Sequence, residues 1–229
     1  KYATRQLLYE HYKSEDPETA CSYATFCRRL EKLIKEKTPT QIYTNLERIP
    51  GESLEVDFAG DSVTWIDRRG KKRTSRLFLA TLTFSQKIYI CAFENEKQIS
   101  WMGGIVKALE FFGGAPKTLI VDNAKSLVVT HGKDKIDYSP ILQSLCNYYG
   151  ISSFACRPGT PKGKNRVENS VTHTYRRVLA SLRLNGPIRA CNLEDLNQQI
   201  AEHRDIFNKR PFTKNLQSNR ELEFNTHER

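Results

Sequence analysis

The chain has 229 residues, 38% hydrophobic and 27% charged, with 36 Lys and Arg against 26 Asp and Glu for a formal charge of +10. That length suits one core domain of ordinary size plus a small helical attachment. No apolar run approaches the roughly 20 residues of a membrane span, and the six cysteines form no C-x-x-C pair, which argues against a membrane protein, a disulfide scaffold and a zinc site.

From Lys1 an organised helical pattern begins almost at once, so the expectation is a fragment of a longer, intracellular protein. Residues 4–12 predict a short helix. A second has Ser22 as its N-cap, Phe26, Leu30, Leu33 and Ile34 at helical spacing, and Arg28 and Arg29 among its other positions. The pair, residues 1–38, suits a helix-turn-helix remnant that touches DNA through Arg28 and Arg29, or a plain helical hairpin; its net charge of about +2 does not decide. A polar linker, 39–50, ends in Pro50-Gly51.

A core domain is expected over 51–185. Leu54, Val56 and Phe58 alternate with Glu55 and Asp57, the period-2 mark of a strand with one apolar face. Val63–Ile66, a basic turn and Thr74–Phe84 read as a hairpin, and Ile88–Phe93 as another strand. Between Arg68 and Arg76 lie six basic residues, Arg68, Arg69, Lys71, Lys72, Arg73 and Arg76, and no acid. From Gln98 to Phe112 one helical face is apolar and Gly113-Gly114 closes it; Thr118–Asp122 comes next as a short buried strand. A helix and buried strand after antiparallel strands imply a mixed sheet with crossover helices. Ile141–Tyr149 predicts a helix, Ser152–Cys156 a strand, Gly163–Leu184 a long helix, and Leu193–Phe207 a last helix within a C-terminal helical extension, 186–229.

Three acids stand out. Asp57 points off the apolar face of its strand, and Asp122 ends a run of β-favouring residues where ligands of open α/β sheets collect. Glu168 is the only acid among eight basic residues from Arg157 to Arg189, including Lys162, Lys164, Arg166 and Arg176. An acid kept where binding an anion favours its absence is explained by a divalent cation between it and a phosphate. Taken singly, the three are equally compatible with an exposed strand residue, a turn Asp and a first-turn helix acid. Carboxylates converging from two strands and a helix suit Mg²⁺ or Mn²⁺, hard ions with oxygen ligands; two ions about 4 Å apart serve in-line displacement at phosphorus. The basic runs predict a polyanion surface contacting phosphates rather than reading sequence. The five histidines show no H-x-x-x-H or H-E-x-x-H pattern, and G-x-S-x-G and Walker A sequences are lacking, which argues against an acyl hydrolase and ATP use by this chain.

The succession Glu55-Val-Asp-Phe-Ala-Gly, Leu119-Ile-Val-Asp-Asn-Ala-Lys and Arg157-Pro-Gly-Thr-Pro-Lys-Gly-Lys-Asn-Arg-Val-Glu-Asn resembles the D, D and E motifs of the transposase and retroviral integrase superfamily. The last motif is most similar to IstA-type transposases of bacterial insertion sequences, and Asn208-Lys-Arg-Pro-Phe matches the segment after the catalytic helix in that group. The resemblance spans about 50–225 and implies an RNase H-like α/β fold, a mixed five-stranded sheet flanked by helices. It implies Asp57, Asp122 and Glu168 as catalytic metal ligands, use of two Mg²⁺ with Mn²⁺ as a substitute, and end cleavage and strand transfer on transposon-end and target DNA. A homodimer or larger assembly, an IstB-type AAA+ ATPase helper and a cytoplasmic, nucleoid-associated location come with it. The 45 residues between Asp122 and Glu168 exceed what is usual in that superfamily, and the excess is expected in Leu127–Tyr138 as a polar loop.

Overall fold

The computed structural model of the chain describes residues 5–15, 17, 19–37, 48–121, 127–131, 136–155, 177–184, 186–213 and 215–229. They fall into two compact units, Lys1–Glu47 and Arg48–Arg229.

The first unit is a helix pair, α1 (Arg5–Glu15) and α2 (Tyr23–Lys37). Aromatic rings and one ion pair join the helices: Tyr12 stacks on Phe26 with centroids 5.2 Å apart, Tyr9 meets Tyr23 edge-on at 5.1 Å, and Arg5 pairs with Glu31 at 3.0 Å. Ser22 caps α2 as its sequence position predicts, its Oγ accepting from Thr25 N at 3.4 Å. Arg28 and Arg29 are exposed on α2.

In the second unit the strands are β1 (Ser53–Ile66), β2 (Lys72–Leu82), β3 (Ile88–Phe93), β4 (Thr118–Val121) and β7 (Ser152–Ala155), in the sheet order β3-β2-β1-β4-β7. β1 to β3 form an antiparallel meander, whereas β4 and β7 run parallel to β1 after crossovers through α3 (Gln98–Phe112) and α4 (Pro140–Tyr149). The two glycines after α3 close it as expected: Gly113 is left-handed at φ 74° and its N–H donates to Leu109 and Glu110 carbonyls.

Period-2 alternation distributes β1 between two cores. Leu54, Val56 and Phe58 join Phe78, Trp101, Ile105 and Leu142 on the α3 side. Ala59, Val63 and Trp65 join Leu77, Leu79, Ile88 and Ile90 on the other side, covered by Val178 and Leu179 of α5 (described over 177–182) and by Leu196, Ile200 and Phe207 of α6 (Leu193–Asn208). A final helix, α7 (Arg220–His227), which hydrophobic spacing did not reveal, inserts Phe224 into the first core.

The exposed edge of β3 is closed by side chains. Asn208 accepts from Ile88 N (3.1 Å) and donates to Ile88 O (3.0 Å), while Asn197 does the same for Ala92. Eleven helical residues span about 16 Å and four strand residues about 13 Å, so the two asparagines of α6 match the strand they clip.

Two expectations are corrected. Leu127–Tyr138 is not a loop throughout: Leu127 is fully buried, and β5 (Val128–His131) pairs antiparallel with β6 (Ile136–Tyr138). The β-branched run Val128-Val-Thr supplies the strand, and Tyr138 Oη anchors it by donating to Ser153 O at 3.2 Å. The cysteines, whose mostly apolar sequence settings read as reduced core positions, are not all buried: Cys191 is exposed and Cys21 and Cys27 are half-buried. No helix among the described residues is long and apolar enough to cross a membrane.

Candidate active site

Asp57 lies in β1 directly opposite Leu79 of β2. Because Phe58 and Phe78, the next pair, belong to the α3 core, Asp57 and Leu79 face the other way, towards the layer of α5 and α6. The carboxylate is half-buried there. Glu55 shares this face two residues earlier, and burial raises its pKa above the ordinary carboxylate range, with Arg48 partly opposing the shift.

One residue beyond Asp57, after Phe58, the ladder is interrupted: pairing resumes only at Ser62, leaving Ala59, Gly60 and Asp61 outside the register. Arg76, opposite Ser62, holds this bulge. Its Nη1 donates to Ser62 Oγ at 2.8 Å and to Gly60 O at 3.5 Å, while its other nitrogens pair with Glu96. In the sequence Arg76 is only one more charge of a basic run; the structure makes it the clamp of the strand that carries Asp57. Glu96, twenty residues further on, gives no sequence signal of that partnership.

Val56 of β1 pairs with Val121 of β4, and Val121 pairs in turn with Ala155 of β7, so the three parallel strands come level at these residues. Asp122 and Glu168 lie outside the described residues, as do Lys162, Lys164, Arg166 and Arg176. Among the described residues no group of three or more His, Cys, Asp or Glu could hold a metal ion.

The basic turn is a rigid device rather than a loose tip. Asp67 Oδ1 accepts from Arg69 N and Lys71 N, both at 2.9 Å, and Oδ2 accepts from Arg73 Nε at 2.9 Å. These bonds, Arg73's first, hold the carboxyl below its usual range. Arg68, Arg69, Lys71, Lys72 and Arg73 are all exposed. The segment around Arg189 joins them: Ile66 N donates to Ile188 O at 2.8 Å and Ala190 N to Ile66 O at 3.1 Å, which sets the exposed Arg189 beside the turn.

This mixed five-stranded sheet flanked by helices is similar in fold to solved retroviral integrase cores. The magnesium-bound catalytic core domain of the HTLV-2 integrase superposes with a TM-score of 0.52 at 15% identity, over 77% of this chain and 97% of that one. The fold is therefore RNase H-like. No family model matches the chain. In sequence it is 34% identical over 225 residues, 96% of its length, to the protein assigned as transposase of insertion sequence IS408 in Burkholderia multivorans. It is 31% identical over 205 residues, 88% of its length, to the assigned transposase y4uI of Sinorhizobium fredii. In sequence the chain is a relative of the transposases of bacterial insertion sequences, and in fold it is like the retroviral integrase cores. It spans about two-fifths of the length of these curated relatives.

Proposed function

We propose that the chain is the catalytic portion of a transposase that cleaves transposon ends and joins them to target DNA, with Asp57, Asp122 and Glu168 as its metal-binding acids. The observation that carries the reading is the level pairing of Val56 with Val121. Asp57 comes directly after the first in sequence and Asp122 directly after the second. Support for Glu168 comes from the face of the sheet: α5, the described end of the helix predicted to carry it, packs Val178 and Leu179 on the side that Asp57 faces.

All three are carboxylates, the donors a hard divalent cation takes, and the face of Asp57 is partly desolvated, as the raised pKa of its neighbour Glu55 reflects. Mg²⁺ bound there, as one ion or two, with Mn²⁺ as a substitute, supplies Lewis acidity for activating a water or 3′-hydroxyl and for neutralising charge at phosphorus. Asp57 orients through the bulge that Arg76 clamps. The phosphodiester lies against this face, and the exposed turn takes a different part of the duplex. Nine residues of β1, Phe58 to Ile66, separate Asp57 from Asp67, about 30 Å at strand rise, or roughly nine base pairs. Arg68, Arg69, Lys71, Lys72 and Arg73 thus hold flanking DNA and do no chemistry, while Lys162, Lys164, Arg166 and Arg176 line the substrate beside Glu168. Arg28 and Arg29 of the helical unit contact DNA independently of the core.

The family pattern adds assembly on DNA as a dimer or larger complex, an IstB-type ATPase helper, and action in the bacterial cytoplasm at the nucleoid. The domain reading is a helical unit at 1–38, a linker at 39–50, a core at 51–185 and an extension at 186–229. Asp57→Asn in the full-length transposase is the test, with strand transfer of pre-cleaved ends as readout. Loss of joining with DNA binding retained supports the proposal; joining near the wild-type rate ends it. If wild-type protein cuts ends but never joins pre-cleaved ones, the chain is a nuclease of the same fold.

A further inference from the structure

The apolar cover of the Asp57 face is one-sided. The cluster beneath α5 and α6 draws its strand residues from β1, β2 and β3, and none from β4 or β7. On the half left over, the register sets Glu55 of β1, Ile120 of β4 and Phe154 of β7 in one row across the face. Burial falls along that row towards the edge of the sheet: Glu55 and Ile120 are half-buried, whereas Phe154 is 56% exposed. Phe154 belongs to neither core, and among the described residues no aromatic ring or cation packs on it.

A single exposed apolar side chain is ordinary on a protein surface; the place of this one sets it apart. Asp57 is two residues beyond Glu55 on the same face, so Phe154 lies two strands across and two residues back, about 12 Å from Asp57 between Cα atoms at ordinary sheet spacing. Its backbone is fixed. β7 pairs with β4 along its whole length, and Tyr138 Oη donates to Ser153 O at 3.2 Å, so presenting the ring requires ordering only two side-chain torsions. A phenyl ring carries no charge and no hydrogen-bonding group, which makes a flat apolar face its partner, and the flat faces of a DNA substrate are its bases. Within a duplex those faces are covered by neighbouring pairs, so the base that meets the ring is an unpaired one. A protein partner fits less well. A ring of this exposure offers roughly 100 Å², against about 800 Å² on each side of a stable interface. The exposed Ile141 and Tyr148 do not extend it, because α4, which carries them, covers the opposite face through Leu142 and Cys146.

We propose that Phe154 is a stacking platform for an unpaired base of the DNA strand held at the acids, within about four nucleotides of the phosphate they act on at the roughly 3.4 Å spacing of a stacked strand. The identity of that strand rests on the transposase reading, and the test separates the two. Full-length protein is titrated, with Ca²⁺ in place of Mg²⁺, against a pre-cleaved end duplex of its own element, either fully paired or with its last few pairs mismatched. Wild type is expected to prefer the mismatched end by about 5- to 150-fold. Phe154→Ala and the apolar but ringless Phe154→Leu should lose that preference and Phe154→Trp should keep it, each variant having a native circular-dichroism spectrum. Equal affinity of wild type for the two duplexes overturns the platform, as does an undiminished preference in Phe154→Ala. Full preference in Phe154→Leu shows that bulk rather than the ring is responsible, and refutes stacking. Strand transfer of the same pre-cleaved ends decides the underlying reading. Wild type that joins them, beside a Phe154→Ala protein with the preference intact, sinks the platform and leaves the transposase standing. Wild type that never joins them yet shows a Phe154-dependent preference does the reverse, and wild type that binds neither duplex overturns both.

Discussion

Two adjacent glycines of α3 should respond with opposite sign to the same substitution. A Cβ on Gly104 would sit 2.6, 2.7 and 2.8 Å from Cγ, Cδ2 and Cδ1 of Phe78, where carbon contacts normally lie at about 3.5–4.0 Å. Phe78 cannot retreat: it is fully buried, with Phe58, Phe93 and Trp101 edge-on around it at 5.5, 6.3 and 6.0 Å. Overpacking of this kind costs about 1–3 kcal/mol, and three simultaneous clashes with an immobile ring put it near the top of that range. Alanine returns about 1 kcal/mol of helix propensity, so Gly104→Ala should lose about 2 kcal/mol net. At Gly103 a Cβ meets only Phe93 ring atoms at 3.6 and 3.8 Å, ordinary contact, and the same exchange should gain up to about 1 kcal/mol. Urea unfolding of both variants, followed by circular dichroism at equal m-value, measures the difference. Equal stability of the two, or a Gly104→Ala protein as stable as wild type, would refute the claim that the helix rests directly on Phe78.

Asn208→Ala strips both partners from the Ile88 backbone groups at a site of zero exposure and should cost about 2–4 kcal/mol, against less for the part-buried Asn197→Ala; thermal melts rank them. Ser139 occupies the N-cap of α4, yet its buried Oγ has no hydrogen-bond partner among the described residues and makes no cap bond, so Ser139→Ala should be neutral or slightly stabilising where a working cap would lose about 1 kcal/mol. Glu55 and Asp67 should tilt the pH–stability curve oppositely. The raised Glu55 binds its proton more tightly when folded, so its contribution is present below about pH 4.3 and lost as pH climbs through the folded value; Glu55→Gln should raise the melting temperature at pH 7 and not at pH 4. The depressed Asp67 contributes above its unfolded value near pH 3.9 and loses that contribution as pH falls through the folded one, a slope that Asp67→Asn should remove. Neutralising Lys71 and Lys72, but not Arg73 because it holds Asp67, should make the salt dependence of duplex binding shallower by about 1.8; an unchanged slope removes the turn from the interface.

The elements legible in the sequence are those whose period or punctuation is local. Gln98–Phe112 with its two closing glycines is α3 to the residue, because an apolar stripe and a left-handed stop leave little choice. Alternation across Leu54–Phe58 gives the direction of Asp57 correctly. β5 and β6 escape because strands of four and three residues are too short to show a period, and only pairing with each other defines them. The last helix escapes because one buried side chain, Phe224, and a Lys87–Glu221 contact across 134 residues hold it, rather than a continuous apolar face. Side-chain mimicry of a strand partner by Asn197 and Asn208, and the Arg76–Glu96 clamp, are likewise tertiary facts that no composition forecasts.

The placement of charge on the sheet explains why one face and not the other can host chemistry. On the α3 side Phe58, Phe78, Phe93 and Trp101 interlock ring to ring, which leaves no room for water or a substrate. On the opposite side the odd-numbered residues of β1 run Ser53, Glu55 and Asp57, then the buried apolar Ala59, Val63 and Trp65, with the exposed Asp61 inside the bulge. A helix lying across the whole of that face would have to bury both carboxylates, at a cost that the raised pKa of Glu55 already registers. The apolar cover of α5 and α6 instead seats over Ala59, Val63, Leu77, Leu79 and Ile90. The bulge between Phe58 and Ser62 sits at the boundary between these two stretches of one strand, and Arg76 fixes it from the neighbouring strand. Replacing Arg76 should therefore disturb the acidic end of β1 more than the hairpin tip: in Arg76→Ala, hydrogen exchange is expected to quicken around Phe58–Ser62 while the amides of Arg69 and Lys71, bonded to Asp67, keep their protection, and the reverse pattern would show that the bulge is held by the hairpin instead.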